Sequence, residues 1–345
     1  MSDPAAADPS EPAAGRSMSA VVVESLDGPG SARMRSFPLP LGAHPRAEGQ
    51  RVLIDVRAAG LSPIDALQSR GAYQYGTAPP YVAGSEVAGV VREADPASGL
   101  EPGDRVAGVV FWGGLAEQCL IAPRYAIRVP ESLPFAEAAA VYLNYTTAWY
   151  ALHRAGAAPG QTVLIHGAAG GVGAAVLDLA PQFGVNVIAV VSTDAKAQFA
   201  RDAGAWAVVR SGGDWLSEVR ALTDGRGVDV VLDPVGGDRF TDSLRALRVG
   251  GILVVIGFVG GSIPELRVNR LLLRNLTVTG ISADTMDAEH PGTLAMVTDA
   301  VQRLLDEDRL HPVIGARLPF ERAAESLALV ERGEVIGKIV VDVTP

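Results

Sequence analysis

The sequence predicts an α/β fold in which a doubly wound parallel sheet is joined to a second, β-rich region. Between residues 162 and 281, apolar runs of strand length alternate with stretches of helical period. The first of those runs ends in a turn of small residues that opens a helix. Residues 19 to 130 instead hold short alternating runs broken by many Gly and Pro turns.

The stretch from Thr162 to Lys196 organises the rest. Thr162 to His166 suits a buried strand, and Gly167 to Gly173 a tight turn. Val172, Val176, Leu179 and Phe183 then recur on one face of a helix, which Gly184 ends. Val185 to Val191 is a second strand, so the whole is a βαβ unit. Its turn reads Ala168-x-Gly170-x-x-Gly173, the dinucleotide fingerprint with Ala in place of the first Gly. Small residues let the backbone approach a pyrophosphate, and the helix N-terminus supplies N–H groups and a positive dipole end. The second strand runs into Ser192, Thr193 and Lys196, where an NAD-selective site would place an acid for the ribose 2′-hydroxyl. Two hydroxyls and an ammonium suit a 2′-phosphate, which favours NADPH. Asp194, the acid nearby, suits the N-cap of the next helix.

The remaining strands of the sheet are expected at Ala207–Val209, Val228–Asp233, Gly251–Gly257 and Leu276–Ile281. Helices are expected at Asp214–Thr223 and Arg239–Arg248 between them, and over most of residues 134 to 155 before the sheet, where 144–148 interrupt the apolar pattern. Pro291 suits a helix start, with Leu294, Val297, Val301 and Leu304 as its packing stripe. Phe320–Arg332 reads as another helix capped by Gly333, and Ile336–Val343 as a strand that pairs back into the N-terminal region. Residues 1–17, rich in Pro, Ala and acid, read as a disordered tail. The N-terminal region carries strands near 51–58, 87–92 and 105–110, joined by loops at 60–65, 71–75 and 84–86 with small and polar content suited to a site.

At 345 residues, with 48% hydrophobic and 20% charged residues, the chain has material for two ordinary cores. A net charge of −10 without a basic tract argues against nucleic acid or anionic membrane as partners. Asp178 interrupts the longest apolar candidate for a membrane span, and no secretory signal is read. The single Cys119 excludes an internal disulfide framework and a multi-cysteine zinc lobe, which fits a cytoplasmic location. No G-x-S-x-G elbow supports hydrolysis.

The blocks GSEVAGVV (84–91), EPGDRVAG (101–108), GGLAEQ (113–118), TTAWYAL (146–152), PGQTVLIHGAAGGVG (159–173), GVDVVLDPVGG (227–237), LLLRNLTVTG (271–280) and IGKIVV (336–341) occur in this order. With them the chain resembles the medium-chain dehydrogenase/reductase superfamily, in its zinc-free quinone oxidoreductase branch. The resemblance implies a Rossmann domain over 131–284 and a discontinuous GroES-like catalytic domain over 18–130 and 285–345. It places cofactor contacts on Thr147, Gly170, Gly171, Val172, Ser192, Lys196, Val235, Phe258 and Val259, with Arg210 as a second cation near the adenosine phosphate. The zinc-dependent branch has Cys where Ser62 stands and His where Ser85 stands, so no metal is expected. Nearer relatives often carry Asn at the Ser62 position. The implied activity is NADPH-dependent reduction of a quinone or an α,β-unsaturated carbonyl, in a homodimer. Tyr73 is the expected proton donor, with Tyr75 as the nearby alternative and Ser62 as a weaker hydrogen-bond donor. A biosynthetic enoyl reductase, or an NADPH-binding protein without useful catalysis, would share these features.

Overall fold

The computed structural model describes residues 17–343. In chain order, β1 (Ser17–Val23), β2 (Ala32–Pro38), β3 (Val52–Leu61), α1 (Pro63–Ser69), β4 (Tyr81–Val82) and β5 (Glu86–Ala94) come first. They are followed by β6 (Arg105–Val109), β7 (Gln118–Leu120), β8 (Ala126–Arg128), α2 (Phe135–Ala138) and α3 (Tyr142–Arg154). Then come β9 (Thr162–His166), α4 (Gly171–Phe183), β10 (Asn186–Val191), α5 (Asp194–Asp202), β11 (Ala207–Arg210) and α6 (Trp215–Leu222). The next run is β12 (Val228–Asp233), α7 (Phe240–Ala246), β13 (Leu247–Val255), α8 (Asn269–Arg274) and β14 (Thr277–Gly280). The chain closes with α9 (Ala283–Glu289), α10 (Thr293–Asp306), β15 (Ile314–Pro319), α11 (Glu325–Arg332) and β16 (Lys338–Asp342).

Two compact units result, one from residues up to Tyr142 together with Ile314 onward, the other from Leu143 to Val313. The second division falls later than residue 285, where the sequence placed it. The apolar stripe of α10, with Leu294, Val297 and Val301 buried, stays with the central unit.

The central unit is a six-stranded sheet in the order β11-β10-β9-β12-β13-β14, every adjacent pair parallel. All six expected strands are present. The direction of succession reverses between β9 and β12, which opens a crevice at the carboxyl ends of those strands. β13 starts at Leu247, earlier than the Gly251 expected, and shifts register against β12 between Val228 and Val230. β14 pairs only with β13 and is one of the sheet's two edges, β11 being the other.

The first unit is built on a sheet in the order β15-β16-β3-β5-β6-β8, with β7 also on β3. β16 lies antiparallel to β3, which is the return of the C-terminal strand that the sequence predicted. β15 was not expected: Gly315 and Pro319 interrupt its apolar pattern. Three further expectations are corrected. Ser17 belongs to β1, and residues 1–16 of the expected tail lie outside the described residues. The 60–65 loop is instead the end of β3 and the first turn of α1. Pro291 precedes Gly292, the N-cap of α10, rather than starting the helix.

Candidate active site

In the central unit the glycine-rich turn sits at the crevice. Gly170 is the N-cap of α4, and no side chain caps this helix, so its first-turn N–H groups remain for an anion. A Cβ on Gly173 would lie 2.4 Å from Gly167 O and 2.5 Å from Ala168 Cα, so only glycine lets helix and turn close this tightly. A Cβ on Gly171 would overlap the side chain of Asn144, at 2.6 Å from Oδ1. That buried Asn144 on α3 braces the turn, a role the sequence reading missed; its signal was a polar residue interrupting an apolar helical pattern. Thr147 follows it on the same helix face. Val172, half-buried, completes the first turn.

Ser192 and Thr193 are exposed where β10 gives way to α5. Thr193, not Asp194, is the N-cap: its Oγ1 accepts a hydrogen bond from Lys196 N at 3.2 Å. The extended backbone at Thr193 fits a cap, whereas Asp194 is already helical. The Thr193 hydroxyl keeps its proton to donate. Arg210 pairs with Asp194 through Nη1 and donates from Nη2 to Ser192 O at 2.7 Å. The expected second cation is therefore present at this corner but tied to the one acid there.

Across the crevice, Asp233 at the end of β12 accepts from Val235 N and Gly236 N, both at 2.9 Å. Burial raises its pKa against those two bonds. Val235 reaches the turn, 3.4 Å from where a Gly167 Cβ would stand. Val259 N and Gly260 N donate to Pro234 O and Val235 O, at 3.2 and 2.9 Å, so the loops after β12 and β13 are bonded to each other. Phe258 and Val259 remain 37% and 53% exposed, a large solvent share for apolar side chains on a loop so well bonded. The crevice thus gathers the turn, Ser192, Val235 and the Phe258–Val259 loop at the ends of four neighbouring strands.

In the first unit, Ser62 is the N-cap of α1, and Asp65 completes a reciprocal capping box with it. Asp65 Oδ2 receives Ser62 N at 2.7 Å, Ser62 Oγ at 3.3 Å and Ser85 Oγ at 3.1 Å. Beside it, Lys338 of β16 and Glu86 of β5 form an ion pair buried to 2% and 0% side-chain exposure. Tyr73 and Tyr75 follow α1 with rings 5.7 Å apart, edge to face. Gln68 Nε2 holds their loop, donating to Phe111 O at 2.7 Å and to Tyr75 O at 3.4 Å. The Arg46 guanidinium lies 4.5 Å from the Tyr75 ring centre and 4.2 Å from that of Phe111. Burial pushes the Tyr73 phenol up to about 12, with the neighbouring Tyr75 and Asp65 adding to it and Arg46 opposing. Tyr73 is therefore a phenol, not a phenolate, at neutral pH. Asp65 was absent from the residues expected in the site, although Ser62-x-x-Asp65 before an apolar run is itself a helix-start signal.

A family model described as an alcohol dehydrogenase GroES-like domain matches residues 48–131, and one described as a zinc-binding dehydrogenase matches residues 171–299. Quinone oxidoreductase-like protein 2 of Rattus norvegicus is 35% identical over 306 residues, 88% of this chain and 86% of its own. The chain belongs to the medium-chain dehydrogenase/reductase superfamily, in its quinone oxidoreductase branch. A probable oxidoreductase from Mycobacterium abscessus has 36% identity and a TM-score of 0.84 over 95% of this chain and 99% of that one. A mycobacterial protein solved in complex with NADPH has 30% identity and a TM-score of 0.84 over 94% and 100%. Membership of this superfamily makes the protein an oxidoreductase with a nicotinamide cofactor, and the uncapped N-terminus of α4 fits that cofactor's pyrophosphate. The zinc in the second model's description fits less well. Ser62 and Ser85 offer hydroxyls, not thiolate, imidazole or carboxylate, and both hydroxyls donate to Asp65. Among the described residues no group of three His, Cys, Asp or Glu side chains is placed to hold a metal ion.

Proposed function

We propose that this oxidoreductase uses NADPH to reduce a quinone or a carbonyl-conjugated alkene, without zinc. The observation that carries this reading is Asp65, whose Oδ2 engages the hydroxyls of Ser62 and Ser85 where the zinc-dependent relatives place ligands. With hydroxyls there, charge that develops on an acceptor oxygen has to be met by hydrogen-bond donors. The bound nicotinamide supplies hydride. The protein's own groups orient and protonate: the α4 N-terminus and Asn144-braced turn fix the pyrophosphate, and Ser192, Thr193 and Lys196 take the 2′-phosphate. Tyr73, protonated at neutral pH, is the proton donor to the acceptor. Tyr75, stacked under Arg46, is the wall that holds it and the alternative donor. The two-fold partner is a second copy of the chain, joined along the free edge of β14.

The experiment is a panel of quinones, enones and enoyl thioesters, followed by the absorbance of reduced nicotinamide with NADPH and with NADH. Acceptor-dependent oxidation with a preference for NADPH is expected. Binding of NADPH with no acceptor turned over would instead mark a protein that holds the cofactor without catalysis. In the enone assay Tyr73→Phe lowers kcat at least tenfold and leaves NADPH affinity unchanged.

A further inference from the structure

The loop that carries Tyr73 belongs to a run of aromatic rings with one cation against it. Tyr73 and Tyr75 meet edge to face at 5.7 Å, and Tyr75 meets Phe111 in the same way at 5.8 Å. All three residues are half-buried, so each keeps some surface open. Phe111 takes a left-handed backbone, with φ at +63°, a conformation that is costly for a bulky residue. The buried Gln68 amide holds it there, donating to Phe111 O and Tyr75 O. Arg46 is fixed from its own backbone. His44 Nδ1 accepts from Arg46 N at 3.1 Å and His44 Nε2 donates to Val110 O at 2.9 Å, so the buried imidazole is neutral. Burial favours that neutral form. The guanidinium carbon stands 4.5 Å from the Tyr75 ring centre and 4.2 Å from that of Phe111. A guanidinium can rest against aromatic faces and still present its N–H fork to a carboxylate in two parallel bonds. The chain as a whole repels anions, with a net charge of −10, so a cation at this wall is a local exception. Among the charged groups that act on Tyr73, Arg46 is the cation. Asp65, the acid among them, is 2% exposed, with its pKa raised by burial and its Oδ2 taken up by Ser62 and Ser85.

We infer that Arg46 sets the substrate class of this site by pairing with a carboxylate carried by the acceptor, while the Tyr73–Tyr75–Phe111 run takes the acceptor's flat conjugated part. The inference rests on the reading of Tyr73 as proton donor, because that reading places the acceptor at this wall. The preferred acceptor is then an unsaturated keto acid, or a quinone with an acidic substituent, rather than its neutral counterpart. Arg46 takes no part in the hydride or proton transfer. It is a specificity-determining residue that fixes one end of the acceptor.

The test compares an enone bearing a remote carboxylate with its methyl ester, using NADPH and the parent, Arg46→Met, Arg46→Lys and Tyr73→Phe. Methionine keeps an apolar stem against the rings and removes the charge. Expected for the parent is a kcat/KM at least tenfold higher on the acid than on the ester, with the advantage shrinking as salt rises from about 0.05 to about 0.5 M. Arg46→Met loses that advantage through a higher KM for the acid, while the ester and NADPH affinity stay within twofold. Arg46→Lys recovers part of it as a point charge. A parent that treats acid and ester alike overturns the inference. So does an Arg46→Met variant that loses both equally, which marks a cation that only holds the wall. The Tyr73→Phe arm separates the two readings. A tenfold loss of kcat there, with no acid preference in the parent, leaves the proton donor standing and removes the role of Arg46. An acid preference that Arg46→Met abolishes, with no loss in Tyr73→Phe, keeps the role of Arg46 and removes the proton donor. If neither enone is turned over, calorimetry of the two saturated products on the NADP+ complex decides. Acid binding at least tenfold tighter than ester, and abolished in Arg46→Met, supports the inference, and equal binding refutes it.

Discussion

At the scale of single residues, the corner around Ser192 decides between cofactors. On the proposed reading Lys196 and the two hydroxyls take a 2′-phosphate; Asp194 beside them is 99% exposed at its side chain and paired with Arg210. A charge-assisted hydrogen bond is worth about 1.5–3 kcal/mol, so Lys196→Glu weakens NADPH about tenfold or more while NADH changes little. Asp194→Asn frees Arg210 and removes a like charge, so NADPH tightens and NADH does not; both are read by titrating cofactor fluorescence. Elsewhere a single residue matters for stability. Lys338 and Glu86 are buried as a pair, and removing one partner from such a pair costs about 3–5 kcal/mol because the other charge is left uncompensated. Lys338→Ala is expected to lower the denaturant midpoint by that measure, more than the double change Lys338→Met with Glu86→Leu. The sequence showed neither Lys338 nor Asp65 as part of a cluster. They come from strands and a helix far apart in the chain, and only the pairing of β16, β3 and β5 brings them together.

At the scale of elements, the βαβ unit from β9 to β10 was legible because three signals agreed: buried strands, a small-residue turn and a helical stripe. The glycines of that turn are fixed by contact. Gly173→Ala has its new Cβ at 2.4 Å from Gly167 O, backbone that cannot swing aside, so cofactor affinity falls sharply even if the fold survives. Asp229 on β12 works in the opposite sense to Asp65. Burial would raise its pKa, but Arg248, the Thr162 N–H and Arg226 together lower it. A depressed carboxyl contributes stability that is present above its unfolded pKa and lost as pH falls through the folded value. The melting temperature of Asp229→Ala should therefore lie below the parent's at neutral pH, and the gap should close below about pH 4. Thr162 N donates to Asp229 Oδ2 at 2.8 Å, which ties β9 to β12 at their amino-terminal ends, the end of the sheet opposite the crevice. The elements that were missed are short. α1 was read as a loop because Gly60, Pro63 and Gly71 surround only two turns of helix, and β15 because its apolar positions are broken.

At the scale of the whole molecule, the segment that leads into the edge strand β14, the loop after β13 and α8, is unusually apolar. Ile263, Val268, Leu272 and Leu273 are 75%, 72%, 78% and 77% exposed, far more than scattered surface residues require. The proposed dimer along this edge would cover them. Light scattering at micromolar concentration should give twice the chain mass, and Leu272→Glu with Leu273→Glu should give a monomer; a monomeric parent would contradict the dimer. The order of blocks along the chain made the two-part organisation readable, while the second boundary was misplaced because α10 carries no sequence mark of which core it joins. The central claim is hydride transfer from the reduced nicotinamide to a conjugated acceptor, and its most direct measurement follows the hydride itself. With NADPH deuterated at the transferred position and an enone that the protein turns over, the product should carry one deuterium at the carbon β to the carbonyl, read by mass spectrometry and NMR. Its proton at the α carbon should come from solvent. Deuterium on the carbonyl carbon would mean an alcohol dehydrogenase, and product without deuterium, or no turnover of any acceptor, would contradict the account.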